Sequence, residues 1–163
     1  ELPQPSTEHF ENVLWSALRS IDPQRPCWVE DESPTIGRVK VPDAFFARMR
    51  AAHLFFVEMP LEERADRLVE DYGQYPRALL AEAVQRIRKR LGPQHCKAAL
   101  EALVDGDLRI VALISLLYYD KTYAHGAAQR DPQRVTRLPA SQGDLRGLAQ
   151  RLKDHAASTP AHR

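Results

Sequence analysis

Two apolar runs with one helical stretch between them set the strongest limit on what this chain can fold into. Cys27, Trp28 and Val29, within residues 26–30, have the composition of a buried strand, and the run ends in the consecutive acids Glu30, Asp31 and Glu32. Residues 53–59, HLFFVEM, are too apolar to alternate cleanly and read as a second strand covered on both faces. Between the runs, Ser33, Pro34, Thr35 and Gly37 make a loop, and Pro42 with Asp43 opens a helix over residues 42–50 whose Phe45, Phe46 and Met49 share a face. Strand, helix, strand is a βαβ unit, which requires parallel pairing and a right-handed crossover. The predicted class is α/β, with ligands bound beyond the carboxyl ends of the strands, where the acids lie.

Two strands are few for a parallel sheet, which normally has several strands and both faces covered. Beyond Met59 the chain reads as helix, over residues 60–72, 76–91, 93–104 and 107–119, with Gly92 and Gly106 as punctuation. Ahead of the first run, residues 2–5 are extended, and Ser6 or Thr7 caps a helix carrying Phe10, Val13, Leu14, Ala17, Leu18 and Ile21, which Asp22 and Pro23 stop. Residues 124–140 are rich in Ala, Gln, Arg and Pro and predict an irregular segment, followed by one short helix over residues 142–155. The expected organisation is an α/β part over residues 1–75, a helical extension over 76–125, and a basic, partly mobile segment over 126–163 carrying Arg130, Arg134, Arg137, Arg146, Arg151, Lys153 and Arg163. The chain lacks an initiator Met and enters an interior strand by Pro26, so it reads as a piece of a longer protein.

Lys plus Arg number 23 against 22 Asp plus Glu, so net charge selects no partner. Cys27 and Cys96 lie in unlike settings, Cys27 as inert core and Cys96 on a helix, with no metal spacing and no disulfide framework; a reducing cytoplasm fits. The six histidines form no ligand spacing. No apolar run approaches the roughly 20 residues of a membrane helix, and the N-terminus lacks the order of a signal peptide. A soluble protein is expected.

Glu30 and Glu32 stand two apart, so in extended backbone their carboxylates share a side and are candidate catalytic acids and Mg²⁺ ligands; equally, such acids form a solvated loop or a helix cap. Ser33, Gly37 and Arg38 suit an anion such as a diphosphate, or plain turn chemistry. Arg64 and Arg67 are neighbours on a helix, placed either to clamp phosphates or to pair with Glu63, Asp66 and Glu70. Arg86, Arg88, Lys89 and Arg90 gather at a helix C-terminus, where cations favour the helix dipole or meet RNA phosphates. Tyr118, Tyr119 and Tyr123 stack bases or fill core, and Gln4, Ser6 and Glu11 have no evident physical role.

Five stretches in order carry a family resemblance: QPS from Gln4, FEN from Phe10, WVEDESPTIGRVKVPDAFFARMRAA from Trp28, PLEERADRLVEDY from Pro60 and YYDKTY from Tyr118. Their most specific element is E-x-E-S-x-x-I-G at Glu30, Glu32, Ser33, Ile36 and Gly37. Over residues 1–125 the chain resembles bacterial tRNA 2-selenouridine synthases, with departures at Asp31, where a small residue is expected, and Lys121, where proline is.

The resemblance implies a rhodanese-like domain with a reactive cysteine followed by a P-loop domain. It implies an activity that replaces the sulfur of wobble 2-thiouridine with selenium from selenophosphate through a geranylated intermediate, with geranyl diphosphate as a second substrate and tRNA as partner. This chain has no G-x-x-x-x-G-K-S/T and no cysteine in a rhodanese-like loop. It is then the later half of a P-loop-type sheet plus a helical extension, inactive alone, with an exposed sheet edge open to a missing segment or to a second copy. The other reading is a freestanding helical RNA-binding or interaction module without catalysis.

Overall fold

The computed structural model describes residues 3–158. Leu2 of the expected extended start and Arg163 of the basic tail lie outside them. Backbone packing divides the chain into two compact units, Glu1–Leu54 with Leu152–Arg163 and Phe55–Arg151.

In the first unit, α1 spans Thr7–Arg19, with the Ser6 hydroxyl accepting the His9 N–H at 3.1 Å and Glu8 and Arg19 complementing the helix dipole at its two ends. Residues 26–30 form no strand, and Cys27, Trp28 and Val29 are exposed rather than core. A run of three apolar residues is too short to choose a strand by pattern alone. The loop leads instead to a small antiparallel hairpin, β1 (Thr35–Ile36) and β2 (Val39–Lys40), in register Thr35↔Lys40 and Ile36↔Val39. Val39 and Val41 are its buried residues. Helix α2, Asp43–Ala51, follows Pro42.

The apolar run after α2 is a strand, β3 (Leu54–Glu58), but its partner differs from the one expected. It pairs in parallel with β4, Val135–Pro139, taken from the segment that read as irregular. The α/β character and a parallel pair are therefore present, with the crossover made by helices α3 to α7 rather than by α2 alone. The Glu58 carbonyl accepts the Ala140 N–H at 2.8 Å just past the strand end.

The helices of the second unit are α3 (Leu61–Tyr72), α4 (Arg77–Arg86), α5 (Arg88–Leu91), α6 (Pro93–Asp105) and α7 (Leu108–Ala128). The expected single helix over 76–91 is broken at Ile87, whose backbone leaves helical geometry (φ −93°, ψ 3°). Helix α6 starts on Pro93 and ends at Gly106 in left-handed geometry (φ 84°), and the Asp107 carboxylate then caps α7 at Ile110 N–H, 2.9 Å. Helix α7 is the spine. One side carries Val111 against Val84, Leu91, Cys96, Ala99 and Leu103, while another carries Ala112 and Leu116 against Ala65. After a 3₁₀ turn at Pro132–Arg134 and β4, a second 3₁₀ turn at Gln142–Asp144 leads to α8, Leu145–Ser158.

Candidate functional site

The acidic loop is shaped by local hydrogen bonds. Glu32 N–H donates to the Glu30 carbonyl at 2.9 Å, a tight turn rather than extended backbone, so the expected same-side placement of the two carboxylates loses its strand basis. The Glu32 carboxylate accepts its neighbour Ser33 N–H at 3.2 Å, and the Ser33 hydroxyl donates to the Thr35 carbonyl at 2.7 Å. Asp31, between the two glutamates, meets Arg50 at 3.3 Å through both carboxylate oxygens, fastening the loop to the end of α2. Among the described residues no group of three or more His, Cys, Asp or Glu is arranged to hold a metal.

Gln4 has a structural role that the sequence did not disclose. Its side-chain amide donates to the Ile36 carbonyl at 2.7 Å and accepts the Arg38 N–H at 3.0 Å, closing the hairpin turn from outside. Gly37 sits between those contacts at φ +62°, and a Cβ there would lie 2.5 Å from Gln4 Nε2. Glycine thus meets a backbone and a steric requirement together. The turn leaves Arg38 exposed at its tip, without an ion pair among the described residues.

The two helix arginines separate. Arg67 pairs along its own helix, at 2.9 Å to Asp71 and 3.7 Å to Glu70. Arg64 turns from the neighbouring acids to Asp120 on α7, and this hydrogen-bonded carboxylate raises its pKa. Asp66 and Glu62 instead hold Arg109 of α7, whose pKa is raised by its bond to Asp66 first and to Glu62 second. Glu63 accepts the Gln142 N–H at 2.6 Å. Helix α3 is thus tied to α7 by crossed arginine–carboxylate pairs.

The basic cluster also divides. Arg86 reaches Glu82 at 3.6 Å, and Arg90 donates to the Tyr118 hydroxyl at 2.7 Å while lying 5.9 Å from its ring centre. Tyr118 packs against the α6–α7 core, as the core alternative requires. Arg88 and Lys89 are exposed and make no ion pair among the described residues. Arg88 also borders a cleft of about 1030 Å³, with Gln85, Lys97 and Leu100 among its lining. No helix among the described residues is long and apolar enough to cross a membrane.

Comparison with known proteins adds the following. The family model described as the tRNA 2-selenouridine synthase AAA domain matches residues 1–158. A tRNA 2-selenouridine synthase from Chromohalobacter salexigens is 35% identical over 96% of this chain and 49% of its own length. One from Shewanella frigidimarina is 30% identical over 94% of the chain and 49% of its own. One from Nitrosomonas europaea is 37% identical over a shorter stretch, 56% of this chain and 24% of its own. The chain spans about half the length of the first two relatives. No solved structure matches it.

Proposed function

Because the chain belongs to the tRNA 2-selenouridine synthase family, we propose that it is one part of an enzyme that exchanges the sulfur of wobble 2-thiouridine in tRNA for selenium from selenophosphate, by way of a geranylated intermediate. The observation that carries this reading is the family match across residues 1–158, which takes in the acidic loop, the glycine turn and the arginine-tied helices alike. Within that enzyme the chain supplies the acidic loop, a wall of the anion site and a tRNA-facing helical surface. Its working compartment is the cytoplasm.

Ser33, Gly37 and Arg38 form the anion wall, with Arg38 exposed at the tip of a turn that Gln4 holds. Mg²⁺ retains several waters and needs only one or two carboxylates beside substrate phosphates, so Glu30, whose carboxylate is exposed, suits that part without a complete protein cage. Glu32 is the weaker ligand, because its carboxylate already serves Ser33 N–H. Arg64 and Arg67 hold α3 rather than an anion, since both guanidiniums are engaged by carboxylates. Arg88 and Lys89 carry the tRNA contact, flanked by Arg86 and Arg90.

Neither a phosphate-cradling G-x-x-x-x-G-K-S/T nor a rhodanese-like cysteine loop occurs in this sequence, so the chain alone is inactive. The test is selenium incorporation into 2-thiouridine-containing tRNA, read by mass spectrometry of the nucleosides. No 2-selenouridine is expected from the chain alone, and product is expected when the unmatched half of the Chromohalobacter salexigens relative is supplied. Turnover by the isolated chain would overturn the assignment. The unpaired Arg88 and Lys89 favour one further reading, a binding module, which predicts tRNA binding with no gain of activity on adding the other half.

A further inference from the structure

Tyr72 ends α3 and Tyr75 follows it in the link to α4, both within the second unit, Phe55–Arg151. Their ring centres lie 6.0 Å apart with planes 33° from parallel, and the residues are 53% and 48% exposed. The turn that pairs them is tight. The Gly73 N–H donates to the Val69 carbonyl at 2.8 Å and the Tyr75 N–H to the Tyr72 carbonyl at 3.0 Å. A Cβ at Gly73 would run into the Val69 carbonyl oxygen and stand 3.3 Å from Leu108 Cδ1, so glycine lets this turn seat against the start of α7. Arg77 begins α4 two positions beyond Tyr75, is exposed, and makes no ion pair among the described residues. Its Nη2 lies 3.9 Å from where a Cβ would stand at Gly106, whose carbonyl accepts the Leu108 N–H at 3.0 Å. The arginine and the tyrosine turn therefore border one corner of the helical unit.

We propose that Tyr72 and Tyr75 form a stacking platform for an unpaired base of tRNA, with Arg77 on the adjoining phosphate. The inference rests on the reading of the chain as part of a tRNA-modifying enzyme. Rings held half in solvent offer π-faces on which any base can stack, and unpaired loop bases are the part of RNA that proteins hold in this way. Arg77 selects nucleic acid over an apolar protein face, because a base stacked on the rings brings its own phosphate to a guanidinium that no carboxylate holds among the described residues. Helix α3 is fixed to α7 by Arg64 with Asp120 and by Arg109 with Glu62 and Asp66, so the platform is presented already ordered. The α4–α5 segment that starts at Arg77 carries Arg88 and Lys89 near its far end, so stacking and charge for one RNA lie on the same stretch of chain. Tyr118, by contrast, is occupied by the core and by Arg90.

The test is binding of the full chain to tRNA and to a blunt RNA duplex without unpaired bases, by filter retention. Tyr72→Leu and Tyr75→Leu should each weaken tRNA binding about tenfold, with its salt dependence and the duplex affinity unchanged. Tyr72→Phe and Tyr75→Phe keep the ring and should stay within about twofold of the parent. Arg77→Ala should lower the steepness of the salt dependence by about 1. Urea midpoints of the leucine variants should match the parent. In the unsubstituted chain, ultraviolet crosslinking to tRNA should leave a nucleotide adduct on the peptide holding Tyr72 and Tyr75, a readout that needs no variant to fold. Affinity unmoved by both leucine variants overturns the proposal, and loss of the co-expressed unmatched half of the Chromohalobacter salexigens relative in those variants would then assign the rings to a protein contact. Equal losses on tRNA and duplex, adducts confined to other peptides, or a parent chain that does not bind tRNA overturn it as well. Selenium transfer is scored separately, with that half supplied. Transfer with ring-insensitive binding removes the platform and spares the enzyme, and ring-dependent binding without transfer does the reverse.

Discussion

Arg64 closes on Asp120 with both arms of its guanidinium, at 2.5 Å and 2.8 Å, while its Nε is buried without a hydrogen-bond partner. The pair joins α3 to α7 beside the small cluster of Ala65, Ala112 and Leu116. The side chains are 31% and 42% exposed, so solvent screens part of the attraction and the pair is worth less than a buried one. Asp120→Ala strands the remaining donors of Arg64 and should cost about 1–2 kcal/mol. Arg64→Lys keeps the charge but loses the two-pronged fit, and should cost about 1 kcal/mol. Urea denaturation measures both, and unmoved midpoints would show that the pair contributes nothing.

Gly37→Ala combines a left-handed residue with a collision against the Gln4 amide. The backbone term alone is about 1–2 kcal/mol. Gln4→Ala removes the collision but also the two hydrogen bonds that close the turn, so the double variant should be less destabilised than the sum of the singles. Amide exchange at Arg38, whose N–H Gln4 accepts, should accelerate in all three variants, and strict additivity would show that the two residues act independently.

Asp144 gives the chain an acid-sensitive tie. The Arg151 guanidinium, first among the causes, holds its carboxyl below the usual carboxylate range, with the Gly147 N–H adding to the effect. Arg151 also donates to the Pro139 carbonyl at 3.0 Å, linking α8 to the end of β4. A carboxyl whose pKa is lower in the folded state stabilises fully above its unfolded pKa, and the contribution fades as pH falls through the folded value. Asp144→Asn should therefore lower the melting temperature at neutral pH and narrow its gap to the parent under acid conditions. A gap constant down to that range would remove Asp144 from the acid response.

How much of this was legible follows from the range over which each signal acts. Ser6, Asp107, Pro93 and Gly106 mark helix ends by bonds to residues a few positions away, so α1, α6 and the start of α7 could be read directly, whereas α7 runs on to Ala128, past the expected end at Tyr119 and into the stretch that read as irregular. The partner of β3 could not. A parallel strand carries no hairpin signal, and Val135–Pro139 hides its buried Leu138 among Arg and Pro. The same distance concealed Asp120 behind the nearer acids Glu63, Asp66 and Glu70, which looked sufficient for Arg64. Gln4 stood in a stretch of family resemblance, yet its role depends on a turn more than thirty positions later. At the candidate site the residue types were visible in Glu30, Glu32 and Gly37, whereas the turn joining Glu32 to Glu30 arises from backbone bonding that apolar pattern does not encode.

The basic end of α4 and α5 offers a graded test of nucleic-acid contact. Each cation that neutralises a phosphate releases counterions, so removing it lowers the steepness with which tRNA affinity falls with salt by about 1. Arg88 and Lys89 make no ion pair among the described residues, so Arg88→Ala and Lys89→Ala should each give that change. Arg86 is shared with Glu82 and Arg90 with Tyr118, so Arg86→Ala and Arg90→Ala should change the slope less, with Arg90→Ala also lowering stability through the lost Tyr118 contact. Arg67→Ala serves as the reference, because that guanidinium is engaged by Asp71 and Glu70. Filter binding of tRNA over a salt series reads all five. Equal slopes for Arg88→Ala, Lys89→Ala and Arg67→Ala would move the tRNA contact off this helix end, leaving Arg88 and Lys89 as solvated charges whose only service is to the helix dipole.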